Sequence, residues 1–353
     1  MTTAHGRSRM LAGRLDVPTR KFEVREVPVP EPGPGQVRVR VRAAGVCLSD
    51  VHLIDGTLTP PFLDGDEVTL GHEVAGEIDV VGPDVPGPWA VGQRVTLQAG
   101  EQCGQCANCV RFRPCLAVRT RGVDYDGGWA QSALASHHTL VAIPDGMPFD
   151  QAAIVPDAVS TPWGAITGPG RAAVPGRPAG VWGVGGLGAH AVQLLRIVGA
   201  APIVAVDPLP AARERALDLG ADAAFDPAAP DLRDQVLALT GGLDVAYDMA
   251  GVGAVREQAV RCLGIGGRLV LVRLTPEPLT ISDSIGLSFR GKQILGSYGG
   301  GPEAVEQLIT LARFGRLDLR RSISGTVPLA DAADAVARLT AKTGDPIRII
   351  LEP

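Results

Sequence analysis

A chain of 353 residues exceeds the usual size of one domain, so two cores are expected, each long enough to bury a substantial apolar area. With 45 Gly, 29 Pro and only 4% aromatic residues, it suits short turns and close backbone approaches, which favours strand-rich or α/β architecture over long helices. Lys plus Arg total 33 against 38 Asp plus Glu, a formal net charge of -5 with no basic run, so nucleic acid is excluded as an expected partner.

The opening MTTAHGRSRM leads into charged residues rather than an apolar run, so no secretory signal is expected and a cytoplasmic location is the default. Residues 22–44 read FEVREVPVP, a Pro/Gly turn, then QVRVRVRAAG with period-two alternation, a β-rich beginning. The runs HEVAGEIDVVG and QRVTLQAG, separated by Gly or Pro, fit a partly open barrel or irregular β domain. Near residue 180 the rhythm changes. VWGVG, helical AHAVQLLRIVGA, PIVAVD, helical AARERALDLGA and LDVAYDMAG form a repeated βα pattern, which predicts a parallel, doubly wound sheet. The longest apolar stretch, 179–201, is dense in glycine and carries Gln193 and Arg196, so it reads as buried strand and helix and no membrane span is expected. VREQAVRCLGIGGRLVLVRL and RGKQILGSYGG continue the βα units. Two further helical patterns precede IRIILEP, and this tail is expected to return to the first domain.

Gly183, Gly185 and Gly188 spell G-x-G-x-x-G between an apolar strand and a helical pattern, with Gly186 and Leu187 inside the turn. In that context the glycines permit a tight turn and close backbone approach, and a pyrophosphate sits at the helix N-terminus. Asp207 ends the next strand, where a carboxylate accepts from the adenine-ribose hydroxyls and repels a 2'-phosphate, so NAD is expected ahead of NADP. Arg213 and Arg215, which would recruit such a phosphate, are read as decorating a solvated helix face, and His190 as a packing or surface residue.

Cys47 precedes Ser49, Asp50 and His52, and Gly71, His72 and Glu73 follow, so a thiolate, an imidazole and a carboxylate can converge as a zinc site with one position left for water. Zinc in such a site lowers the pKa of a bound alcohol, and a nicotinamide accepts the hydride. Cys103, Cys106, Cys109 and Cys115 read C-x2-C-x2-C-x5-C, a spacing that presents four thiolates to a structural zinc; a pair of disulfides is the alternative. Cys262 reads as a buried small hydrophobe.

In this order, with DGGWAQ at 126–131, these motifs resemble the zinc-dependent medium-chain alcohol dehydrogenase family over nearly the whole chain. The resemblance implies a GroES-like β-rich catalytic domain, residues 1–160 and 298–353, interrupted by a Rossmann domain at 161–297, with the active site between them. It implies two zinc ions per chain. Cys47 and His72 would be ligands of one, Glu73 would bind directly or exchange with water, and Asp157 stands where many relatives have a cysteine or another acidic ligand. Asp50 would hold the histidine, Ser49 would receive the substrate's proton, and His52 would pass it to solvent through the cofactor ribose. Arg348 resembles a basic residue near the pyrophosphate. The family's cysteine loop is commonly longer than the five residues VRFRP between Cys109 and Cys115, which puts Cys115 in question. A homodimer or homotetramer is implied, acting on a small-molecule alcohol or carbonyl, with secondary or cyclic alcohols and polyols foremost. Two other readings stand beside this one: a zinc-free quinone or enoyl reductase of the same fold, and an inactive zinc protein that senses NAD.

Overall fold

The structure, a computed structural model, describes residues 8–111, 113, 115–170 and 174–353. The reading of the first seven residues, and Phe112 and Pro114 of the cysteine loop, lie outside the described residues. Two compact units emerge, one of residues 1–157 with 319–353 and one of residues 158–318.

In the first unit, Arg9–Asp16 pairs antiparallel with Lys21–Pro28 and with Glu67–Thr69. The larger sheet runs in the order Leu140–Ala142, Arg94–Leu97, Val74–Val81, Gln36–Val46, Arg348–Glu352, Ile323–Pro328, with Ser132–Ser136 also on Gln36–Val46. The alternation read from QVRVRVR decides how the central strand sits. Val37, Val39 and Val41 are buried in the core, each contributing about 1.5–3 kcal/mol, whereas Arg38 turns outward to pair with Asp79. The last strand, Arg348–Glu352, runs antiparallel to Gln36–Val46, so the C-terminal tail completes the sheet as expected.

The second unit is a six-stranded parallel sheet in the order Ala223–Phe225, Ile203–Val206, Ala179–Trp182, Leu243–Asp248, Leu263–Leu271, Gln293–Gly296. In chain order this is 3-2-1-4-5-6, the doubly wound dinucleotide-binding arrangement. AGVW and IVAV are buried at every position, as strands covered by helices on both faces must be. The strand order reverses between Ala179–Trp182 and Leu243–Asp248, the point where such sheets open a crevice at their carboxyl edge.

The return to the first unit comes later than residue 298. Helix Ala304–Arg313 packs against helix Ser160–Thr167, where Trp163 Nε1 donates to Gln307 Oε1 at 2.7 Å, so this helix stays with the parallel sheet and the boundary falls at Leu319. Among the described residues, no helix is long and apolar enough to cross a membrane.

Candidate active site and metal centres

Helix Leu48–Asp55 begins at Cys47, and its capping fixes the chemistry at that end. Asp50, at the third helical position, reaches back so that the Cys47 backbone N–H donates to its Oδ2 at 2.9 Å. Its Oδ1 accepts from the Gly71 N–H at 3.3 Å and lies 3.6 Å from His72 Nδ1. One fully buried carboxylate thus ties the cysteine turn to the Gly-His-Glu turn and turns His72 Nε2 the other way. On the same helix Ser49 and His52 are three residues apart and share a face; Ser49 Oγ is 3.8 Å from Cys47 Sγ.

Gly71 has φ +95°, a left-handed conformation that favours glycine, and a Cβ there would meet Trp129 Cδ1 at 2.2 Å. The DGGWAQ segment encloses this turn. Gly127 N–H donates to Thr69 O at 2.8 Å, Gly128 N–H to Gly71 O at 2.9 Å, and Trp129 Nε1 to Gly45 O at 3.0 Å. At Gly45 a Cβ would meet Glu73 Oε2 at 1.9 Å, so this glycine leaves the space that the Glu73 carboxylate occupies. Gly45 carried no motif role, and Trp129 stood inside DGGWAQ without an assigned role. Their signal was only a glycine inside an alternating strand and an aromatic beside paired glycines.

Asp157 lies in a wide helical turn, Val155–Val159, of the π type that recurs at functional sites. Its Oδ2 is 3.4 Å from both Cys47 Sγ and His72 Nε2. Cys47, His72, Glu73 and Asp157 each present a ligand atom within 4.8 Å of the others. Arg348 joins them from the last strand, only 3% exposed. It donates through Nε to Glu73 Oε1 at 3.0 Å, and a terminal nitrogen lies 3.4 Å from Asp157 Oδ2 and 3.7 Å from Cys47 Sγ. The family likeness assigned Arg348 to a pyrophosphate, whereas every polar side-chain partner seen for it belongs to the ligand cluster. The local sequence hinted at such a partner, because a lone charge inside IRIIL cannot be buried unpaired.

The charges test whether a metal fits. The Cys47 sulfur, the Glu73 and Asp157 carboxyl groups and the Asp50 carboxyl stand around a single guanidinium, that of Arg348. Burial raises the Glu73 carboxyl to about 7 even though Arg348 pulls it down. Burial also disfavours charge on His72, yet the Asp50 charge and the hydrogen bonds of Asp157 and Cys47 raise it well above its usual 6.5. The His72 shift reflects the negative groups around it, while the Glu73 shift comes first from burial, and the sulfur, nitrogen and carboxylate donors are those of zinc.

The four thiols at 103–115 make a different centre. Cys103 Sγ lies 3.5 Å from Cys115 Sγ and 3.9 Å from Cys109 Sγ, and Cys106 Sγ lies 4.0 Å from Cys115 Sγ. Four sulfurs bound tetrahedrally at ~2.3 Å are ~3.8 Å apart, so the short loop brings Cys115 within reach of a shared ion. Backbone N–H groups of Cys109, Cys103 and Ala117 point at Cys106 and Cys115 sulfurs, each at 3.4 Å. Bonds from the Leu116 and Cys109 backbone lower the Cys106 thiol to about 6, and the Cys103 N–H lowers Cys115, while burial raises Cys109 to about 12. Cys262 stands apart, fully buried, its thiol raised to about 11 by burial.

In the second unit the three glycines differ in what surrounds them. Gly183 has φ +92°, a Cβ on Gly188 would meet Gly183 O at 1.8 Å, and a Cβ on Gly185 would meet nothing within 4 Å. Tight turn, close helix packing and open approach are the three roles a dinucleotide fingerprint needs. Leu187 precedes helix Gly188–Ile197, and buried His190 donates through Nδ1 to Gly186 O at 2.8 Å, which makes it a pin of the turn. Asp207 accepts from Val184 N–H at 2.8 Å and Leu209 N–H at 2.9 Å, which fixes it beside the turn. Arg213 and Arg215 do not decorate a solvated face. Arg213 donates to the Asp207 carbonyl at 2.8 Å, and Arg215 to the Val184 carbonyl at 2.6 Å.

A β-rich unit with a Cys/His/acid cluster, joined to a doubly wound sheet with a dinucleotide turn, defines a zinc-type nicotinamide oxidoreductase. The family descriptions "Alcohol dehydrogenase GroES-like domain" and "Zinc-binding dehydrogenase" match residues 33–145 and 186–313. The chain is 33% identical over 322 residues to the NDMA-dependent alcohol dehydrogenase of Amycolatopsis methanolica, covering 83% of this chain and 85% of that protein. It is 32% identical over 325 residues to an alcohol dehydrogenase of Geobacillus stearothermophilus, covering 91% and 93%. The solved acetophenone reductase of Geotrichum candidum NBRC 4597, in complex with NAD, matches with a TM-score of 0.84 and 26% identity over 98% of this chain and 97% of that one. The chain belongs to the zinc-binding medium-chain alcohol dehydrogenase family.

Proposed function

We propose that this oxidoreductase interconverts a secondary or cyclic alcohol, or a polyol, with its carbonyl compound, using NAD. The observation that carries the reading is the buried cluster in which Asp157 Oδ2 stands 3.4 Å from both Cys47 Sγ and His72 Nε2, with Ser49 Oγ 3.8 Å from the same sulfur. Cys47, His72 and Asp157 would hold one zinc, with Glu73 beside them, and the four thiolates at 103–115 would hold a second. When bound, zinc supplies Lewis-acid polarisation of the substrate hydroxyl and NAD supplies the hydride acceptor. Asp50 orients the His72 ring, Arg348 neutralises Glu73, Ser49 takes the substrate's proton, and His52 passes it to solvent through the cofactor ribose. Asp207 is the acceptor for the adenine-ribose hydroxyls, with Gly183, Gly185, Gly186, Leu187 and Gly188 at the pyrophosphate.

Thiolate ligands need a reducing compartment, which supports a cytoplasmic location. Exposed Ile285, Phe289 and Tyr298 flank the edge strand Gln293–Gly296, which supports a homodimer or homotetramer. A panel of secondary, cyclic and polyhydric alcohols, followed by NADH absorbance with NAD and separately with NADP, tests the reading. Turnover of a secondary, cyclic or polyhydric alcohol with preference for NAD is expected. A folded, zinc-loaded chain that turns over no alcohol and reduces no ketone would overturn it.

A further inference from the structure

We propose that Asp226 sets the cofactor preference of the strand-end site by holding Arg213, and that Arg213 is a built-in ligand for a 2'-phosphate when Asp226 does not hold it. The inference rests on the dinucleotide reading of the glycine turn and deepens it.

Asp207 and Asp226 leave neighbouring parallel strands at the same level. Val206 pairs with Phe225, and the Asp207 N–H donates to Phe225 O at 3.1 Å. Beside them lies the guanidinium of Arg213, whose side chain is 22% exposed and pairs with the Asp226 carboxylate. One of its nitrogens, Nη1, donates to Asp207 O at 2.8 Å, Pro208 O at 2.9 Å and Asp226 Oδ2 at 3.1 Å. Asp226 is itself fixed, because its Oδ1 accepts from the Ala228 N–H at 2.8 Å.

A guanidinium within hydrogen-bonding distance of the strand-end residue is where a 2'-phosphate finds its partner in this kind of sheet. Here it is paired with the Asp226 carboxylate, and the strand ends carry two carboxylates, Asp207 and Asp226, beside it. A phosphate monoester brings a further ~1.5–2 negative charges at neutral pH and is repelled. Removing the Asp226 charge changes the balance to one against one and leaves the guanidinium held only by the Asp207 and Pro208 carbonyls. Arginine's planar fork then suits the phosphate oxygens. Asp207 disfavours the phosphate by repulsion, and Asp226 adds to that by pairing with Arg213. Arg215 makes no comparable pair with Asp226; its guanidinium donates to Val184 O.

The test uses ADP-ribose and 2'-phospho-ADP-ribose, which lack the nicotinamide, titrated calorimetrically into the zinc-loaded full chain. The readout is the ratio of their dissociation constants. Asp226→Asn should shift the ratio toward the phosphorylated ligand by roughly tenfold, the size of one charge-assisted hydrogen bond. Added salt should shrink that gain, Asp226→Glu should retain the wild-type ratio, and Asp226→Asn with Arg213→Gln should return to it. Arg213→Gln alone should not move the ratio toward the phosphorylated ligand, because it removes the cation and leaves both carboxylates, and this variant does not depend on Asp226→Asn folding. An unmoved ratio in Asp226→Asn, a gain that survives loss of Arg213, or a shift toward the phosphorylated ligand in Arg213→Gln would each overturn the inference. A wild-type chain that binds neither ligand would instead remove the dinucleotide reading, and this inference with it.

Discussion

The two thiol-bearing centres of the first unit are built in opposite ways. The 103–115 lobe draws four donors of one kind from a short loop, mostly at the surface, with backbone N–H groups aimed at the sulfurs. The Cys47 centre draws three kinds of donor from a helix start, a left-handed glycine turn and a π turn, and closes them in with Arg348. A closed all-thiolate set leaves an ion no open position and can only hold the chain together. A mixed set with a hydroxyl beside it can present an ion to a substrate. On the proposed reading stability and reactivity fall to separate places, and substitutions should separate them.

The largest effect should come from Cys47→Ala. Losing a ligand removes the polarising ion, so kcat/KM should fall by about three orders of magnitude or more, at ~1.4 kcal/mol per tenfold, while the 103–115 lobe keeps its metal. Steady-state kinetics beside metal analysis checks it, and loss of both ions at once would break the contrast. Ser49→Ala should cost about two orders of magnitude in kcat/KM, with unchanged zinc content, because only the proton path is lost. Cys103→Ser should act on the other side of the contrast. It should lose one zinc and melt several degrees lower, while the soluble fraction retains most of its turnover.

The smallest effect is in pH dependence, and its sign follows from the buried groups. Glu73, raised from its usual 4.5 to about 7, and His72, raised above 6.5, both bind more protons folded than unfolded. The metal-free chain therefore loses stability as pH rises from about 4.5 through 7 and beyond. Zinc reverses the trend, since its binding expels those protons and tightens as pH rises. Thermal melts with and without chelator should show a zinc-induced increment larger at pH 8 than at pH 5.5. An increment that shrinks with pH would separate these groups from the ion.

The same contrast explains what the sequence revealed. Four cysteines between positions 103 and 115 speak for themselves, since chain proximity is spatial proximity, and even the shortened loop that put Cys115 in question closes. G-x-G-x-x-G was equally legible because strand, turn and helix are contiguous. Cys47, His72 and Asp157 lie far apart in the chain, and only the order of motifs suggested their convergence. The roles of Gly45 and Trp129 and the pairing of Glu73 with Arg348 were at most hinted at, because a space left for a carboxylate and a partner on the last strand are properties of packing. The late boundary at Leu319 has the same origin. The amphipathic pattern of Ala304–Arg313 announces a helix without saying which sheet it covers.

The most direct test of two separate zinc centres is metal content per chain in the wild type, Cys47→Ala and Cys103→Ser, each purified with zinc supplied during expression. Two, one and one are predicted, with turnover surviving in Cys103→Ser and lost in Cys47→Ala. A wild type holding a single zinc that Cys47→Ala leaves in place would contradict the account, because the buried cluster would then not be a metal site.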